Sequence, residues 1–386
     1  MACRRVRRCT VSAFIAQSDC VTAYGWGTDA LWDGLMSGRT AIRTSQRFAD
    51  RSFVSNQLAE VPDLLVQEGE SRAMAMLSRL LAPLVCKLDP ATPLILATTV
   101  GEIEFVELSV LNDWPDVAPR ARPQHLLDRL KKWLGLTGPG LVFSSACASS
   151  SAALTRAAAM VNHDEAASVL VVSCDAISEF VYSGFSTLLS LCESPASPFD
   201  ASRSGLTLGE AAAYAVVTRN ANHTPTSESA NILGWGSTTD AVHMTAPDRN
   251  AGGLSRAIGK ALAMANLMPA DINLIAAHGT ATLYSDAMEM VAFRAAIVEP
   301  RPTLSIKGGI GHTLAPTGLL QVLVAARALD RGVLPPIVGL SIPDESAVGW
   351  VHGVPVMLDQ HDIALSTNSG FGGVNTAVLL GRRHSK

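Results

Sequence analysis

Eight short apolar runs, built from Val, Ile, Leu and Ala with little internal alternation, are spaced along this chain and separated by longer alanine- and leucine-rich segments of helical period. The runs are Leu94–Thr98, Leu141–Phe143, Val169–Val172, Ala213–Val217, Ile272–Ala276, Thr303–Ile306, Ile363–Ser366 and Thr376–Leu380. Such strands are buried on both faces, because a strand with one wet face alternates apolar and polar residues. Helical patterns fill the gaps at Gln124–Leu134, Ser149–Met160, Leu254–Asn266, Asp286–Ile297 and Thr317–Leu329. Strands alternating with helices predict an α/β architecture with a mostly parallel sheet. No low-complexity tract or short repeat interrupts it. A polar stretch near Asn220–Ser229 predicts a division into two α/β halves, residues 1–225 and 226–386, packed as one body.

Composition removes several function classes. The net charge is −4, and only 17% of residues are charged. Bulk positive charge therefore does not recruit nucleic acid, and disorder is excluded. The longest uncharged stretch, Trp133–Thr155, holds a Gly-Pro-Gly break and many hydroxyls, so no membrane span is expected. Arg4, Arg5, Arg7 and Arg8 imitate the basic start of a signal peptide, but Thr10–Asp19 is too short and polar for the apolar region that must follow. An opening strand, Val11–Ile15, and a cytoplasmic location are expected instead. Seven cysteines at irregular spacing, with no CxxC pair, argue against both a disulfide framework and a zinc site.

The unusual polar residues cluster just past strand ends. Leu141–Phe143 runs into Ser144-Ser-Ala-Cys147-Ala-Ser, and Ile272–Ala276 into His278-Gly-Thr-Ala-Thr282. Thr303–Ile306 runs into Lys307-Gly-Gly-Ile-Gly-His312, and Ile363–Ser366 into Thr367-Asn-Ser-Gly-Phe371-Gly-Gly-Val-Asn375. Ligands of open α/β sheets bind outside the carboxyl ends of strands, so four strands deliver these groups toward one site. Cys147 opens a helix whose unpaired N–H groups and dipole favour a thiolate, which describes a nucleophile. Cys86, Cys174 and Cys192 lie in or beside apolar runs and read as packing residues. Two neutral imidazoles, His278 and His312, suit donation of Nε2–H bonds to a developing enolate or oxyanion. Zinc held by Cys147 and both histidines is the competing chemistry, without the usual close-spaced ligand pair. His125, His163, His223, His243, His352, His361 and His384 read as structural or surface. Asp286 and Glu289 share the first turn of one helix and are candidate partners for an enclosed Lys307. The turn Gly370–Gly373 allows close backbone approach and supplies the Phe371 N–H.

Taken in order, Ala146-Cys147-Ala-Ser149, His278-Gly-Thr-Ala-Thr282, Lys307–His312 and Gly370-Phe-Gly-Gly-Val-Asn375 resemble the β-ketoacyl-acyl carrier protein synthases, in their elongating Cys–His–His form. The stretch Pro198–Glu210 is similar to the family's long connection, and the resemblance runs from about Val11 to Leu380. It implies a thiolase-like fold, a five-layer αβαβα sandwich of two similar halves, normally dimeric. It implies that Cys147 takes an acyl chain from acyl carrier protein, with the N–H groups of Cys147 and Phe371 as oxyanion hole. His278 and His312 would then stabilise the enolate of decarboxylated malonyl-carrier thioester, with Lys307, Asp286 and Glu289 as buried support. No cofactor or metal is implied beyond the carrier's phosphopantetheine.

Three positions depart from the family's pattern. Ala281 stands for a usual glycine, Ala211 follows Glu210 where glycine is usual, and Ser369 stands for a usual phenylalanine. The last alters the acyl gate formed by Ser369, Gly370, Phe371 and Gly372, leaving fatty acid, polyketide and aryl-polyene pathways open. Arg120, Arg122, Arg129, Lys131 and Lys132 around one amphipathic helix, with Arg203 elsewhere, are expected to steer the acidic carrier protein. The partner subunit is either a second copy or a related ketosynthase-like chain. The alternative reading is a non-catalytic chain-length factor, which is expected to lack the nucleophile that Cys147 supplies. A thiolase would need a second active cysteine near its C-terminus, and none follows Cys192. A papain-like hydrolase lacks this strand-end pattern, and a scaffold leaves the convergence unexplained.

Overall fold

The computed structural model describes residues 13–220 and 226–383. The expected Arg4–Arg8 region, residues 11–12 of the opening strand, His223, His384 and the division at 225 lie outside them. Ten strands carry the fold. The first five are β1 (Phe14–Thr22), β2 (Leu94–Ala97), β3 (Gly140–Phe143), β4 (Ser168–Asp175) and β5 (Ala211–Thr218). The second five are β6 (Ala230–Thr239), β7 (Leu274–Ala276), β8 (Thr303–Leu304), β9 (Ile363–Gly370) and β10 (Val374–Arg382). Their spatial order is β3-β2-β4-β5-β1 and β8-β7-β9-β10-β6, so each half repeats the order third, second, fourth, fifth, first. The halves join through β1 and β6, where Phe14 pairs with Asn231.

The sheet is mixed, not mostly parallel. β2 runs parallel to β3 and β4, and β7 parallel to β8 and β9. β5 and β10 return antiparallel beside β4 and β9, and pair antiparallel with β1 and β6. The sequence conceals this, because a strand covered by helices on both faces is apolar throughout whichever way it runs. β9 needs only the turn Phe371–Gly373 to reverse into β10, whereas a parallel partner needs a full crossover.

Six helices complete the layers: α1 (Arg72–Leu81), α2 (Pro123–Leu134), α3 (Ser149–Asn162), α4 (Gly252–Ala265), α5 (Leu283–Ala296) and α6 (Thr317–Arg331). α3 and α6 each follow the third strand of their half and lie together in the middle layer. Alternation assigns each strand's side chains. Ile95, Val169 and Val171 join the central core with Leu154 and Ala158 of α3 and Leu320 and Leu323 of α6. Their neighbours Leu94, Leu96, Leu170 and Val172 face outward onto Leu77 of α1 and Leu126 and Leu130 of α2. In the second half, Ile275, Leu365 and Leu379 face Leu254 and Ile258 of α4 and Phe293 of α5. Helix, sheet, helix pair, sheet, helix is the five-layer sandwich expected.

Local chemistry sets the helix ends. Ser71 caps α1 by accepting the Met74 N–H at 3.0 Å, and α2 starts on Pro123 and stops at Gly135, which is left-handed. From Thr317 to Leu329 every residue of α6 is buried, Gln321 and Arg327 included. No described helix is long and apolar enough to cross a membrane.

Candidate active site

The carboxyl ends of β3, β7, β8 and β9 face one cavity of about 340 Å³, with Cys147, His278 and His312 in its wall. Ligating atoms of those three residues lie within 4.8 Å of one another. The rings of His278 and His312 meet edge to face at 5.3 Å. Two histidines 131 and 165 positions beyond Cys147 thus converge on its sulfur.

The turn carrying Cys147 is tight. Ala146 adopts φ +47°, an uncommon conformation for a residue with a Cβ, and the Ser149 hydroxyl donates to the Ala146 carbonyl at 2.6 Å while accepting the Ser145 N–H at 2.8 Å. Gly370 packs against this turn: a Cβ there would lie 3.2 Å from the Cys147 nitrogen and the Ser145 oxygen. Small side chains are needed on both sides of the approach. The N–H groups of Cys147 and Phe371 point at the sulfur and, with the Lys307 ammonium, favour its thiolate. Burial outweighs them and pushes the thiol up to about 11. The expectation that the start of α3 makes a ready thiolate is therefore reversed for the free protein.

Both histidines are neutral. Burial, and then the Lys307 ammonium, hold them well below the ordinary histidine range. Their tautomers follow from their partners. His312 Nδ1 accepts the Leu314 N–H at 2.9 Å. His278 Nδ1 accepts from the Lys307 Nζ and the Asn368 amide, both at 3.3 Å. Each Nδ1 faces donors, so each ring proton sits on Nε2 and is available for donation. A metal-binding histidine needs the opposite, an acceptor behind Nδ1 and a bare Nε2. The donor set fits a pair of hydrogen-bond donors, and the zinc reading fails on it.

The buried carboxylates do not pair with Lys307 as expected. Its Nζ donates to the His278 carbonyl oxygen, approaches the His278 ring, and lies 3.5 Å from the Gln321 side-chain oxygen. Burial pulls its pKa down to about 8. Glu289 instead accepts the N–H groups of His278 at 2.7 Å and Gly279 at 2.6 Å, and the Thr367 hydroxyl at 3.0 Å. Asp286 accepts the N–H groups of Thr280, Ala281 and Phe199 at 2.9, 3.1 and 2.7 Å. The carboxylates shape the loop that carries His278, because they satisfy backbone donors that a buried loop otherwise leaves unpaired. That loop is strained where Ala281 replaces the family's glycine, at φ +65°.

Three supporting residues escape the sequence reading. Gln321 donates to the carbonyls of Ala276, Ala277 and Thr367 at 3.1, 2.7 and 3.2 Å. Asn368 donates to Gln321 at 2.7 Å and accepts the Ser151 hydroxyl at 2.5 Å, tying β9 to both middle-layer helices. Asp175, ending β4, accepts from the Thr98 hydroxyl at 2.6 Å and the Ala315 N–H at 2.9 Å, joining the two halves beside the site. A lone glutamine inside the apolar run Leu319-Leu-Gln-Val-Leu is the signal that could have revealed the first.

Of the expected acyl gate, Ser369, Gly370 and Phe371 line the cavity, and Gly373 lines it where Gly372 does not. The Gly372 N–H turns to the Met244 carbonyl at 2.6 Å. Phe371 stacks on Phe185 with ring centres 5.7 Å apart. Two expected docking cations are engaged elsewhere: Arg129 pairs at 2.9 Å with the fully buried Glu102, and Arg203, 6% exposed, with Asp344 at 2.8 Å. Lys131 packs over Gly140, where β3 begins.

Comparison with known proteins agrees with the geometry. The family model for the β-ketoacyl synthase N-terminal domain matches residues 122–223, and that for the C-terminal domain residues 229–341, together more than half of the chain. The ketoacyl synthase alpha subunit of the tetracenomycin polyketide synthase of Streptomyces glaucescens is 29% identical over 93% of this chain and 94% of its own. The 3-oxoacyl-[acyl-carrier-protein] synthase 2 of Coxiella burnetii is 26% identical over 94% of this chain and 96% of its own. A β-ketoacyl synthase structure from Burkholderia phymatum STM815 superposes with a TM-score of 0.87 at 24% identity, covering 97% of this chain and all of that one.

Proposed function

Because the chain belongs to the β-ketoacyl synthase family, we propose that its three converging side chains carry out the two stages of a decarboxylative Claisen condensation. The enzyme is an acyltransferase of the ketosynthase class. Cys147 Sγ attacks the carbonyl carbon of an acyl-carrier thioester. The new C–S bond replaces the old one, and the carrier thiol leaves with the proton. The N–H groups of Cys147 and Phe371 hold the carbonyl oxygen as it gains charge. Malonyl-carrier thioester then loses CO₂, and the electrons of the broken C–C bond become an enolate whose oxygen accepts Nε2–H from His278 and His312. Its carbon attacks the Cys147 thioester carbonyl, and as the C–C bond forms the C–S bond to Cys147 breaks; the sulfur leaves as thiolate and regains a proton, and the β-ketoacyl chain, two carbons longer, remains on the carrier. Two neutral donors suffice because loss of CO₂ replaces removal of an α-proton.

The observation that carries this reading is the pair of Nε2–H donors, fixed by donors behind both Nδ1 atoms, beside the Cys147 sulfur. Acyl carrier protein is the partner, and its phosphopantetheine is the only prosthetic group the chemistry requires. The partner subunit is either a second copy or a related ketosynthase-like chain; the tetracenomycin relative is named as an alpha subunit. The enzyme acts in the cytoplasm, in fatty acid, polyketide or aryl-polyene biosynthesis. The chain-length-factor alternative has less support, since nucleophile, donors and their backing are all present. Peptide mass spectrometry after incubation with acyl-carrier thioester should show the acyl chain on Cys147. Cys147→Gln should keep malonyl decarboxylation and lose condensation; loss of both together would contradict the division of labour.

A further inference from the structure

The mouth of the cavity is an apolar collar that holds one stacked cation. Leu188, Leu189, Leu283 and Tyr284 line it and are largely exposed. Arg249 stands two residues beyond Pro247, which also lines the cavity, and its guanidinium carbon lies 4.4 Å from the centre of the Tyr284 ring. Among the described residues no carboxylate pairs with Arg249. Its acidic neighbour Asp248 accepts the backbone N–H groups of Asn250 and Gly252 at 3.0 and 3.1 Å. A guanidinium seated over an aromatic ring by cation–π attraction spends none of its N–H donors on that contact, and their fork matches two phosphate oxygens.

In the function proposed above, on which this inference rests, the substrate arm has its thioester at one end and its phosphate at the carrier end. With the thioester at Cys147, the phosphate lies at the mouth. We propose that Arg249, held in place by Tyr284, binds the phosphate of the carrier-borne arm, and that this rim contact replaces the docking role expected of Arg129 and Arg203.

Two thioesters of one acyl group separate this contact from the chemistry. One is borne on the phosphopantetheine of acyl carrier protein; the other is a pantetheine thioester lacking the phosphate. Arg249→Ala should raise KM for the carrier-borne substrate roughly fivefold with kcat unchanged, the size of one exposed charge-assisted contact, and added salt should shrink the difference. KM for the phosphate-free thioester should not move. Arg249→Lys should recover part of the loss. An equal loss on both thioesters would assign Arg249 a structural role and overturn the proposal, as would no loss on either. If the unaltered protein transfers neither acyl group to Cys147, the ketosynthase reading itself falls and takes this one with it.

Discussion

Cys147 should be a poor thiolate in the free protein, and its alkylation profile should report by how much. Burial raises the thiol to about 11. An exposed cysteine titrates near 8.5, so the difference leaves roughly 300-fold less thiolate at neutral pH, about 3 kcal/mol against the charged form. Three attractions oppose burial: the Lys307 ammonium and the N–H groups of Cys147 and Phe371. The largest is also the least durable, because Lys307 itself loses its proton near 8. Part of the support therefore disappears before Cys147 titrates.

Iodoacetamide labelling, followed peptide by peptide across roughly pH 6 to 11, tests this, since the thiolate is the reacting form. Cys86 is exposed, contrary to its expected packing role, and serves as the reference within the same molecule. The rate for Cys147 should climb about tenfold per pH unit toward about 11. The low exposure of Cys147, 8%, slows reagent at every pH alike, so the midpoint decides and not the absolute rate. Lys307→Met should slow Cys147 labelling below about pH 8, where the deleted ammonium favours the thiolate, and leave the midpoint near 11 in place. A plateau for Cys147 near pH 7 would refute the reasoning, by showing that the start of α3 and the two N–H donors outweigh burial.

Three other substitutions probe the scaffold. Gln321→Leu should cost about 2 to 4 kcal/mol in urea denaturation, since it orphans buried carbonyls of Ala276, Ala277 and Thr367 at once; an unchanged midpoint would mean they find other donors. Arg129→Ala should destabilise by about 2 kcal/mol, because Glu102 is buried while Arg129 is partly exposed, and should leave KM for carrier-borne substrates unchanged. A raised KM with unaltered stability would restore Arg129 to the docking surface. Ser369→Phe returns an aromatic ring to the cavity wall and should shorten the longest acyl primer accepted, measured by mass spectrometry of the products; an unchanged profile would place the chain elsewhere.

The sequence discloses this molecule unevenly, and the reasons differ from residue to residue. Strands β2 to β5 and β7 to β10 were visible because burial on both faces leaves continuous apolar runs, yet for that same reason their directions were not. β6 escaped: Asn231, Gly234 and Gly236 break its apolar run, and Gly234 and Gly236 are set by helix α4 lying so close that a Cβ would strike the Ala261 and Ala257 carbonyls. Cys147, His278 and His312 were legible because a reactive group at a strand end, beside small residues, is rare and local. Their tautomers were not, since those depend on which atom of Lys307, Asn368 or Leu314 stands behind each ring, a relation across as many as 90 residues. The charges failed for a related reason. Arg129 and Arg203 carry the same sign in the sequence, and only packing shows that Glu102 holds the first and Asp344 the second. Charge can be counted from a sequence, but whether it is free to meet a partner is decided by the fold. By that measure Arg249, which no motif singles out, has a stronger claim to the incoming anion than the residues a basic cluster suggests.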